Sequence, residues 1–577
     1  MTSKPSAVCQ GSPRFPTTAD QAGDTAARWL ALIARHGPEK AAAQVQGDFA
    51  VALALPDGSV FMAVDRFAVR TLCYRLEGGR LRFAERADQL TDGAAAIDPQ
   101  ALFDYLYFHV IPSPRTVFQD VLRLPPGHCA VYRDGQLSIT QYWVPRFQPA
   151  VTASLEPLRD EFRSLLLQAV SRQLDGSTAA CFLSGGTDSS TVAGMIGQAS
   201  GKPAVSYSIG FQAEGYDEME YARLAARHFG CEHREIYFTP DDLVREIPKV
   251  AGWYDQPFGN SSALPSFHCA AQARQDGVTR LLAGDGGDEL FGGNSRYAAQ
   301  RVFDHYQRVP SLLRRGLLEP FFGLGAVART PGLKKGSNYI RLANTPLPDR
   351  AQDYNLIKRI GYSQVLTAEF MAQVDRGSVD EQQRQVWAQA QCSDEIDRHL
   401  AYDWRYTLAE CDLPKVVGTT TMAGVSVGFP MLDDDLLDFS MRLPPDFKLR
   451  GDALRWFFKE ALRGFLPDAV ITKKKQGFGL PFGVWMVQHQ GLKQLADDAL
   501  LSVVSRGLVR PEFVRLLISE LLPQHPHYYG TMVWTLIMLE HWLRQHAPNW
   551  KLPTAQATTT PMPTPQRLYK TSASPAL

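Results

Sequence analysis

Apolar and polar residues alternate in short runs over the first 150 residues of the chain. Pairs of apolar runs flank turns rich in Gly, Asp or Pro, which predicts β-hairpins at 49–64, 73–84 and 128–143. Residues 26–36 have the spacing of an amphipathic helix. Successive hairpins are typical of an antiparallel β-rich layer. Residues 1–20 are rich in Ser, Thr and Pro and are predicted to be loose.

After residue 150 the pattern changes to apolar strands that alternate with longer helical stretches. Helices are predicted at 154–174, 218–229, 241–253 and 266–275, and strands at 179–183, 204–208, 235–238 and 279–283. Such alternation predicts a doubly wound parallel α/β sheet, whose ligands bind at the carboxyl ends of the strands. Residues 301–411 are predicted to be mostly helical, so the C-terminal part of this domain is helical.

The length of 577 residues is too great for one hydrophobic core and predicts more than one domain. The predicted division is an antiparallel β-rich domain at 1–150, an α/β domain with a helical C-terminal part at 151–550, and a tail at 551–577. The tail is rich in Thr, Pro and Ser with almost no aromatic residues, and is predicted to be disordered.

The segment 179–193, AACFLSGGTDSSTVA, combines a buried strand, a glycine turn and the start of a helix, expected from Thr191 onward. Free backbone N–H groups and the positive end of the helix dipole meet at such a turn, which makes it an anion site. The loop residues predicted to bind a phosphate are Ser184, Gly185, Gly186, Thr187, Ser189 and Ser190.

Asp188 is the exception in this loop, because a carboxylate repels a polyphosphate unless a cation bridges the two. Mg²⁺ held between Asp188 and the ligand is therefore predicted. The alternative is a loop that only turns the chain. A Walker loop is excluded, since the spacing Gly-x-x-x-x-Gly-Lys-Ser/Thr is missing.

The segment 283–293, AGDGGDELFGG, follows a predicted strand in the same way. It sets three acids among five glycines. Like charges crowded in one loop are unfavourable without a partner, so a metal or another cation is predicted there. The alternative is a plain surface loop.

Composition excludes several classes of protein. Lys plus Arg equals Asp plus Glu at 60 each, so no nucleic acid or membrane surface is expected as a partner. The eight cysteines form no Cys-x-x-Cys pair, which argues against structural zinc or a disulfide scaffold and favours a cytoplasmic location. The sequence has no apolar signal core and no apolar run of about 20 residues that could span a membrane.

The loop at 184–190 resembles the pyrophosphate loop of the N-type ATP pyrophosphatases, which cleave ATP between the α and β phosphates. Segments of both halves of the chain resemble the asparagine synthetase family, which has an N-terminal glutaminase domain and an adenylating synthetase domain. These segments are 47–53, 65–69, 123–128, 412–415 and 428–433. The resemblance covers about 47–483 and is strongest to the macrolactam (isopeptide) cyclases of lasso peptide biosynthesis.

This resemblance implies the roles of further residues. It implies that Asp288 joins Asp188 on Mg²⁺, and that Asp285 takes a proton from the attacking amine. Lys475, in the pattern Arg-x-Lys-x-Gly-Phe, would neutralise charge on the α-phosphate and the departing pyrophosphate, although a lysine run is by default a solvated turn. The other implied contacts to ATP are Leu183, Ile209, Ala283, Gly284 and Arg455. Ser426 replaces an acid of the family, which is expected to affect acceptor recognition.

The N-terminal domain departs from the family pattern, so we interpret it as a degenerate glutaminase of the Ntn, or class II, type. The family nucleophile is a cysteine directly after the initiator methionine, whereas this chain has Thr2 there and Cys9 as the nearby thiol. Ala68 and Thr71 replace a glycine and a proline of the family. Glutamine hydrolysis is therefore not expected, and the domain is predicted to serve as a scaffold or docking surface.

The reaction that the resemblance implies is ATP-dependent amide formation through an acyl-adenylate, with AMP and pyrophosphate as products. In a lasso cyclase the N-terminal amine of a precursor peptide is joined to an internal Asp or Glu side chain. Such enzymes work with a leader-binding protein and a leader peptidase. Three alternatives remain open: an asparagine synthetase-like ligase that uses ammonia or a small amine, a β-lactam synthetase, and an inactive scaffold.

Overall fold

The computed structural model describes residues 7–16, 23–91, 96–149, 154–474 and 477–553. Its N-terminal part is built on two antiparallel sheets. One has five strands in the order β1-β2-β3-β7-β8, and the other has three in the order β5-β4-β6. The strands are β1 (Val8–Gly11), β2 (Phe49–Ala54), β3 (Val60–Val64), β4 (Cys73–Glu77), β5 (Arg80–Ala84), β6 (Val121–Arg123), β7 (His128–Arg133) and β8 (Gln136–Gln141). The predicted hairpins are therefore confirmed.

Strand β1 corrects one expectation, because it lies within the residues that were predicted to be loose. Val8 pairs with Ala52 and Gly11 with Phe49 in an antiparallel register. Since β1 is an edge strand, its backbone uses the hydrogen-bonding groups that β2 leaves open on that side. Three helices accompany the sheets: α1 (Thr25–His36), α2 (Pro38–Gln44) and α3 (Pro99–Phe108).

The second part of the chain contains a parallel sheet of five strands in the order β11-β10-β9-β12-β13. The strands are β9 (Ala179–Phe182), β10 (Val205–Phe211), β11 (Glu232–Phe238), β12 (Arg280–Leu282) and β13 (Ser426–Gly428). The intervening helices are α4 (Leu155–Gln173), α5 (Thr187–Ser200), α6 (Met219–Phe229), α7 (Pro240–Trp253), α8 (Ala263–Gln275) and α9 (Gly287–Phe291). The predicted fold class, an antiparallel β-rich domain followed by a parallel α/β domain, is confirmed.

The remainder of the described chain is mostly helical, as predicted. Its α-helices are Ser295–Arg301, Asp304–Gln307, Ser311–Leu313, Glu319–Gly323, Gly325–Arg329, Leu333–Asn344, Leu356–Ile360, Tyr362–Val365, Ala368–Met371, Ser378–Gln389, Glu395–Asp403, Leu413–Ala423, Asp434–Arg442, Pro445–Lys448, Trp456–Ala461, Asp468–Thr472, Phe482–Gln488, Gln490–Ser505, Pro511–Leu516, Leu522–Gln524 and Pro526–His546.

Shorter elements connect these helices. They are the π-helical turns Arg314–Leu318, Trp404–Asp412 and Leu517–Leu521, the 3₁₀ turns Ala87–Leu90, Asp349–Tyr354 and Pro430–Leu432, and the two-stranded ribbon β14 (Leu449–Arg450) and β15 (Ala453–Leu454). No helix of the described chain is long and apolar enough to cross a membrane. Residues 554–577, most of the predicted tail, lie outside the described residues.

Charged pairs join the N-terminal part to the α/β part. Arg14 donates to Asp433 at 2.7 Å, and Arg66 forms an ion pair with Asp434. Gly47 donates its backbone N–H to Asp434 at 2.6 Å. Both aspartates are buried, so the stretch around residue 433 that resembles the family motif holds the two parts of the chain together.

Candidate active site

The order of the parallel strands locates the site. The sheet runs in one direction from β9 through β10 to β11 and in the other from β9 through β12 to β13. The loops that follow β9 and β12 therefore leave the same edge of the sheet side by side, and such a reversal point is where doubly wound sheets bind ligands. These two loops contain the two acidic glycine motifs of the sequence, 184–190 and 283–293.

A cavity of about 660 Å³ opens at this point, a volume typical of a small-molecule site. The predicted residues that line it are Leu183, Ser184, Gly186, Thr187, Asp188, Ser189, Ile209, Gly284, Asp285, Asp288 and Arg455. Of the predicted residues that the structure describes, three lie outside the lining. Gly185 packs against the backbone of Tyr221 and Ala222, the Ser190 side chain is buried behind the loop, and Ala283 donates its N–H to Gly428.

The loop after β9 leads straight into α5. This helix begins at Thr187, four residues earlier than predicted, with Gly186 as its N-cap. Asp188 consequently lies in the first turn, where the unpaired N–H groups and the positive end of the helix dipole favour negative charge. Ser189 braces the turn, because its hydroxyl accepts a hydrogen bond from the backbone N–H of Ser184 at 3.1 Å.

The two predicted metal ligands converge on one guanidinium group. Arg455 donates to Asp188 and to Asp288, each at 2.8 Å, and to the hydroxyl of Thr187 at 2.9 Å. Its second terminal nitrogen bonds the other oxygen of Asp188. The Arg455 side chain is only 5% exposed. In this structure the positive charge between the two carboxylates is therefore that of Arg455.

Two glycines let these carboxylates approach each other. A methyl group on Gly287 would overlap the Asp188 carboxylate, and one on Gly293 would overlap the Asp288 carboxylate. Two converging carboxylates beside a cavity are the oxygen donors that Mg²⁺ takes from proteins when a polyphosphate supplies the rest. The residues therefore fit the predicted cation.

Arg455 itself is fixed from two directions. Its backbone lies in the left-handed region, with φ of 56°, at the start of helix Trp456–Ala461. Its guanidinium stacks on the ring of Phe458, with the carbon atom 3.8 Å from the ring centroid. This strained backbone and the stacking aim the guanidinium at Asp188 and Asp288.

Asp285 faces a different partner. Lys415 places its ammonium 3.3 Å from Asp285 and 3.1 Å from Asp412, and Asn260 donates to Asp412 at 3.2 Å. Burial raises the pKa of Asp285, an effect that the Lys415 charge opposes. Burial also lowers the pKa of Lys415, but the carboxylates of Asp412 and Asp285 outweigh this and raise it. Asp285 is thus a partly buried carboxylate that faces the cavity with one cation beside it, suited to accept a proton.

Sequence reasoning assigned no role to several lining residues. Lys415 and Asp412 lie in the segment 412–415, which entered the sequence analysis only because it resembles the family. The two residues are three positions apart, so their side chains lie on the same face of a helix, and this spacing was the signal that they act together. Lys459, Lys473 and Lys474 also line the cavity. Lys473 forms an ion pair with Glu218 at 2.6 Å.

Two predicted positions of interest do not enter this arrangement. Lys475 lies outside the described residues, so its predicted role stays a prediction. Ser426 is the first residue of β13, and its hydroxyl donates to the backbone oxygen of Thr279 at 3.0 Å. The start of a strand is the end opposite to the carboxyl edge where ligands bind, and Ser426 does not line the cavity.

Glu289 is a further acid that lines the cavity, and its pKa is unusually high for a carboxyl group. Burial, followed by the charges of Asp412 and Asp403, raises its pKa to about 8. A carboxyl group with such a pKa is mostly protonated at neutral pH and can donate a hydrogen bond. This keeps one negative charge out of a site that already holds several carboxylates.

The raised pKa of Glu289 predicts a pH dependence of stability. The folded protein binds a proton at Glu289 that the unfolded chain releases near its ordinary pKa, so this residue destabilises the fold as the pH rises from about 4.5 to about 8. We expect Glu289→Gln to melt at a higher temperature than the parent at pH 8 and at the same temperature at pH 4. The exposed Glu220→Gln is the control. A melting temperature of Glu289→Gln that falls with pH as steeply as that of the parent would contradict the assignment.

Comparison with known proteins agrees with this geometry. The family model described as "Asparagine synthase" matches residues 161–544, and the one described as "Glutamine amidotransferase domain" matches residues 17–143. The first match alone covers more than half of the chain. The protein belongs to the asparagine synthase family, whose members are ATP-dependent carbon–nitrogen ligases, so the predictions of that family and that class of enzyme are confirmed.

Individual relatives are distant. The chain is 25% identical over 518 residues to asparagine synthetase [glutamine-hydrolyzing] 1 of Bacillus subtilis, covering 88% of this chain and 79% of that protein. It is 26% identical over 440 residues to a putative asparagine synthetase of Mycobacterium tuberculosis, covering 74% and 66%. It is also 21% identical over 497 residues to the amidase chry2 of Gibberella zeae, covering 79% and 73%.

Proposed function

We propose that this protein activates a carboxylate with ATP and joins it to an amine of the same molecule, closing a macrolactam ring in a precursor peptide. The amine is the N-terminal amine of the peptide, and the carboxylate is an internal Asp or Glu side chain. Membership of a family of amide-forming ligases supports the general chemistry. The state of the thiols and the position of a second cavity support an amine that arrives with the substrate.

The observation that carries this proposal is the state of the cysteines. Seven of the eight thiols are buried or half-buried, and burial is the largest cause of their raised pKa. Cys9 is exposed, but partial desolvation and the charge of Asp24 raise the pKa of its thiol too, and its backbone is paired with Val51 inside β1. Hydrolysis of glutamine by a thiol requires the thiolate. A raised pKa makes the thiolate harder to form. This favours a source of the amine other than glutamine hydrolysis by this chain.

We propose that such an amine enters through a second cavity near the site. It has a volume of about 290 Å³ and lies where α3 of the N-terminal part meets helix Pro526–His546. Phe108, Trp534, Asn260 and Cys411 are among its lining residues. Asn260 also bonds Asp412, which bonds Lys415 beside Asp285. A flexible peptide end that enters this cavity therefore approaches the proposed base.

The proposed reaction has two steps. A carboxylate oxygen of the peptide bonds to the α-phosphorus of ATP and pyrophosphate leaves; the amine nitrogen then bonds to the acyl carbon and AMP leaves. Asp188 and Asp288 would hold Mg²⁺, which when bound supplies positive charge to the phosphates. Asp285 accepts the proton that the amine loses, and the ammonium of Lys415 stabilises the carboxylate before that transfer. Lys459, Lys473 and Lys474 add positive charge around the departing pyrophosphate.

The test of this proposal is ATP–pyrophosphate exchange together with mass spectrometry of the product. With a lasso-type precursor peptide we expect exchange that depends on the peptide, and a product lighter by one water. The second candidate is a ligase for ammonia or a small amine, as the names of the synthetase relatives suggest. AMP release driven by aspartate and ammonia would favour it, a small β-amino acid that cyclises would favour β-lactam chemistry, and an absence of exchange with every carboxylate would leave an inactive scaffold.

The proposal includes two protein partners and a location. A leader-binding protein and a leader peptidase would deliver the peptide to the enzyme and prepare its N-terminal amine, all in the cytoplasm. Co-purification of the full chain with a leader-binding protein and a leader peptidase from the same organism is the direct measurement.

We expect Cys9→Ala to leave ring formation unchanged. Cys9 lies on the edge strand β1, its backbone is paired with Val51, and burial together with the charge of Asp24 raises the pKa of its thiol. The rate of product formation with a precursor peptide is the measurement, and an inactive Cys9→Ala protein with an unchanged melting temperature would contradict the proposed source of the amine.

A further inference from the structure

Three side chains that can bind a metal meet between helices α7 and α8. Asp242 and Glu246 are four residues apart on α7, so they project from the same face of the helix. His268 projects from the neighbouring helix α8. One oxygen of each carboxylate and one imidazole nitrogen all lie within 4.8 Å of one another. No other group of three such ligands is present in the described parts of the chain.

The buried member of this group is incompletely paired. Glu246 is 7% exposed at its side chain, and one of its oxygens meets the Nδ1 atom of His268 at 2.7 Å. The other oxygen is buried and has no hydrogen-bond partner among the residues that the structure describes. An unpaired carboxylate oxygen in the interior is costly, and this oxygen belongs to the carboxylate that already contacts His268.

The remaining ligand is held in position by its own surroundings. One oxygen of Asp242 accepts hydrogen bonds from the backbone and hydroxyl of Thr239, at 2.9 and 2.7 Å, as part of a capping box at the start of α7. The other oxygen pairs with Arg245, whose side chain is half exposed. Arg245 can move into solvent, whereas the capping contacts keep the second oxygen of Asp242 facing the cluster.

We propose that Asp242, Glu246 and His268 form a binding site for a divalent transition-metal ion that clamps α7 to α8. One imidazole and two carboxylates are ligands typical of zinc or manganese rather than of calcium. The ion replaces the proton on the Nδ1 atom of His268 and takes the unpaired oxygen of Glu246, and water completes its coordination.

The site acts on the nucleotide cavity through α8. Pro265, Ser266 and Cys269 of this helix line the cavity, and His268 lies between them in the sequence. Ser266 also bonds the hydroxyl of Thr419 on the helix that carries Lys415, at 2.9 Å. A metal that fixes His268 thus fixes one wall of the cavity.

The experiment is zinc uptake by the full chain after treatment with a chelator, measured as bound metal per chain after dialysis. We expect one retained zinc ion in the parent and a loss of affinity of more than about tenfold in Glu246→Gln and His268→Asn. Zinc should also raise the melting temperature of the parent and leave that of the two variants unchanged. His36→Asn, at the end of α1, is the matched control and should retain the ion.

Asp188→Asn separates this site from the nucleotide site. We expect Asp188→Asn to bind zinc as the parent does, even where it has lost ATP–pyrophosphate exchange. The zinc site is therefore tested independently of the proposed catalytic function. Zinc retained equally by Glu246→Gln and the parent would overturn the proposal. A parent chain that retains no zinc would also overturn it, and the contact of His268 with Glu246 would then be an ordinary hydrogen bond.

Discussion

Asp288→Asn should lower ATP–pyrophosphate exchange by about 10²–10³-fold, the loss found when one charge-stabilising group is removed from an active site. The Asp288 carboxylate shares a guanidinium with Asp188 in this structure, so both point into one space at the carboxyl edge of the sheet. The asparagine side chain keeps the shape but not the charge that would hold Mg²⁺ against the phosphates. Arg455 keeps its bonds to Asp188, which should preserve the fold.

The matched control for this variant is Asp446→Asn. Asp446 is also an acid of the α/β part, but its side chain is 80% exposed and it does not line the cavity. We expect exchange by Asp446→Asn to equal that of the parent, and both variants to melt within a few degrees of it. Exchange by Asp288→Asn at more than about a tenth of the parent rate would show that the acidic loops do not carry the chemistry.

The parallel sheet and its two ligand loops could be predicted because their signals are local. A short apolar strand followed by glycines and a helix start is readable within fifteen residues, and parallel strands bring all such loops to one edge. The start of α5 was expected at Thr191 rather than Thr187. Glycine and serine favour turns in isolation, whereas here the first helical turn is stabilised by the loop hydrogen bonds of Ser184 and Ser189.

The partners of the acidic residues could not be predicted in the same way. Arg455 bonds Asp188 from 267 residues away, and Lys415 bonds Asp285 from 130 residues away. No periodicity in the sequence connects such positions, because the contact depends on how the C-terminal helices pack on the sheet. A resemblance to a family marked Arg455 as a nucleotide contact, but its position between the two carboxylates followed only from the structure.

The pairing of edge strands could not be predicted from the local sequence pattern either. The composition around β1 is that of a loose segment, yet Val8–Gly11 pairs in register with β2. What decides its conformation is the open edge of another strand, some forty residues later in the chain. The same is true of Arg123, whose family motif gave no sign that its guanidinium would reach an acid of the α/β part.

Glu410→Ala should lower the free energy of unfolding by about 3–5 kcal/mol, the cost of removing one partner from a buried ion pair. The Glu410 carboxylate is 2% exposed and bonds the guanidinium groups of Arg123 and Arg405. It also accepts hydrogen bonds from the hydroxyl and backbone of Ser113, at 2.7 and 3.1 Å. Alanine would leave two arginines of low exposure without a counter-charge at the contact between the two parts of the chain.

The pH dependence of this loss has a definite sign. Burial raises the pKa of Glu410, but the charges of Arg405 and Arg123 outweigh it and lower the pKa below its ordinary value. The stabilisation is therefore fully present above the ordinary pKa of a glutamate and is lost as the pH falls through the lowered pKa. We expect the difference between Glu410→Ala and the parent to be largest at neutral pH and to shrink in acid.

Urea unfolding at several pH values measures this difference, and Asp57→Ala is its control. Asp57 pairs with Arg133 and accepts hydrogen bonds from Ser59 on the surface, where the Asp57 and Arg133 side chains are 50% and 60% exposed, so its replacement should cost much less than that of Glu410 at neutral pH. Equal losses for Glu410→Ala and Asp57→Ala would mean that the contact between the two parts contributes no more than a surface pair. A larger, pH-dependent loss for Glu410→Ala alone means that the N-terminal part is held on the synthetase part by buried charge, as a scaffold requires.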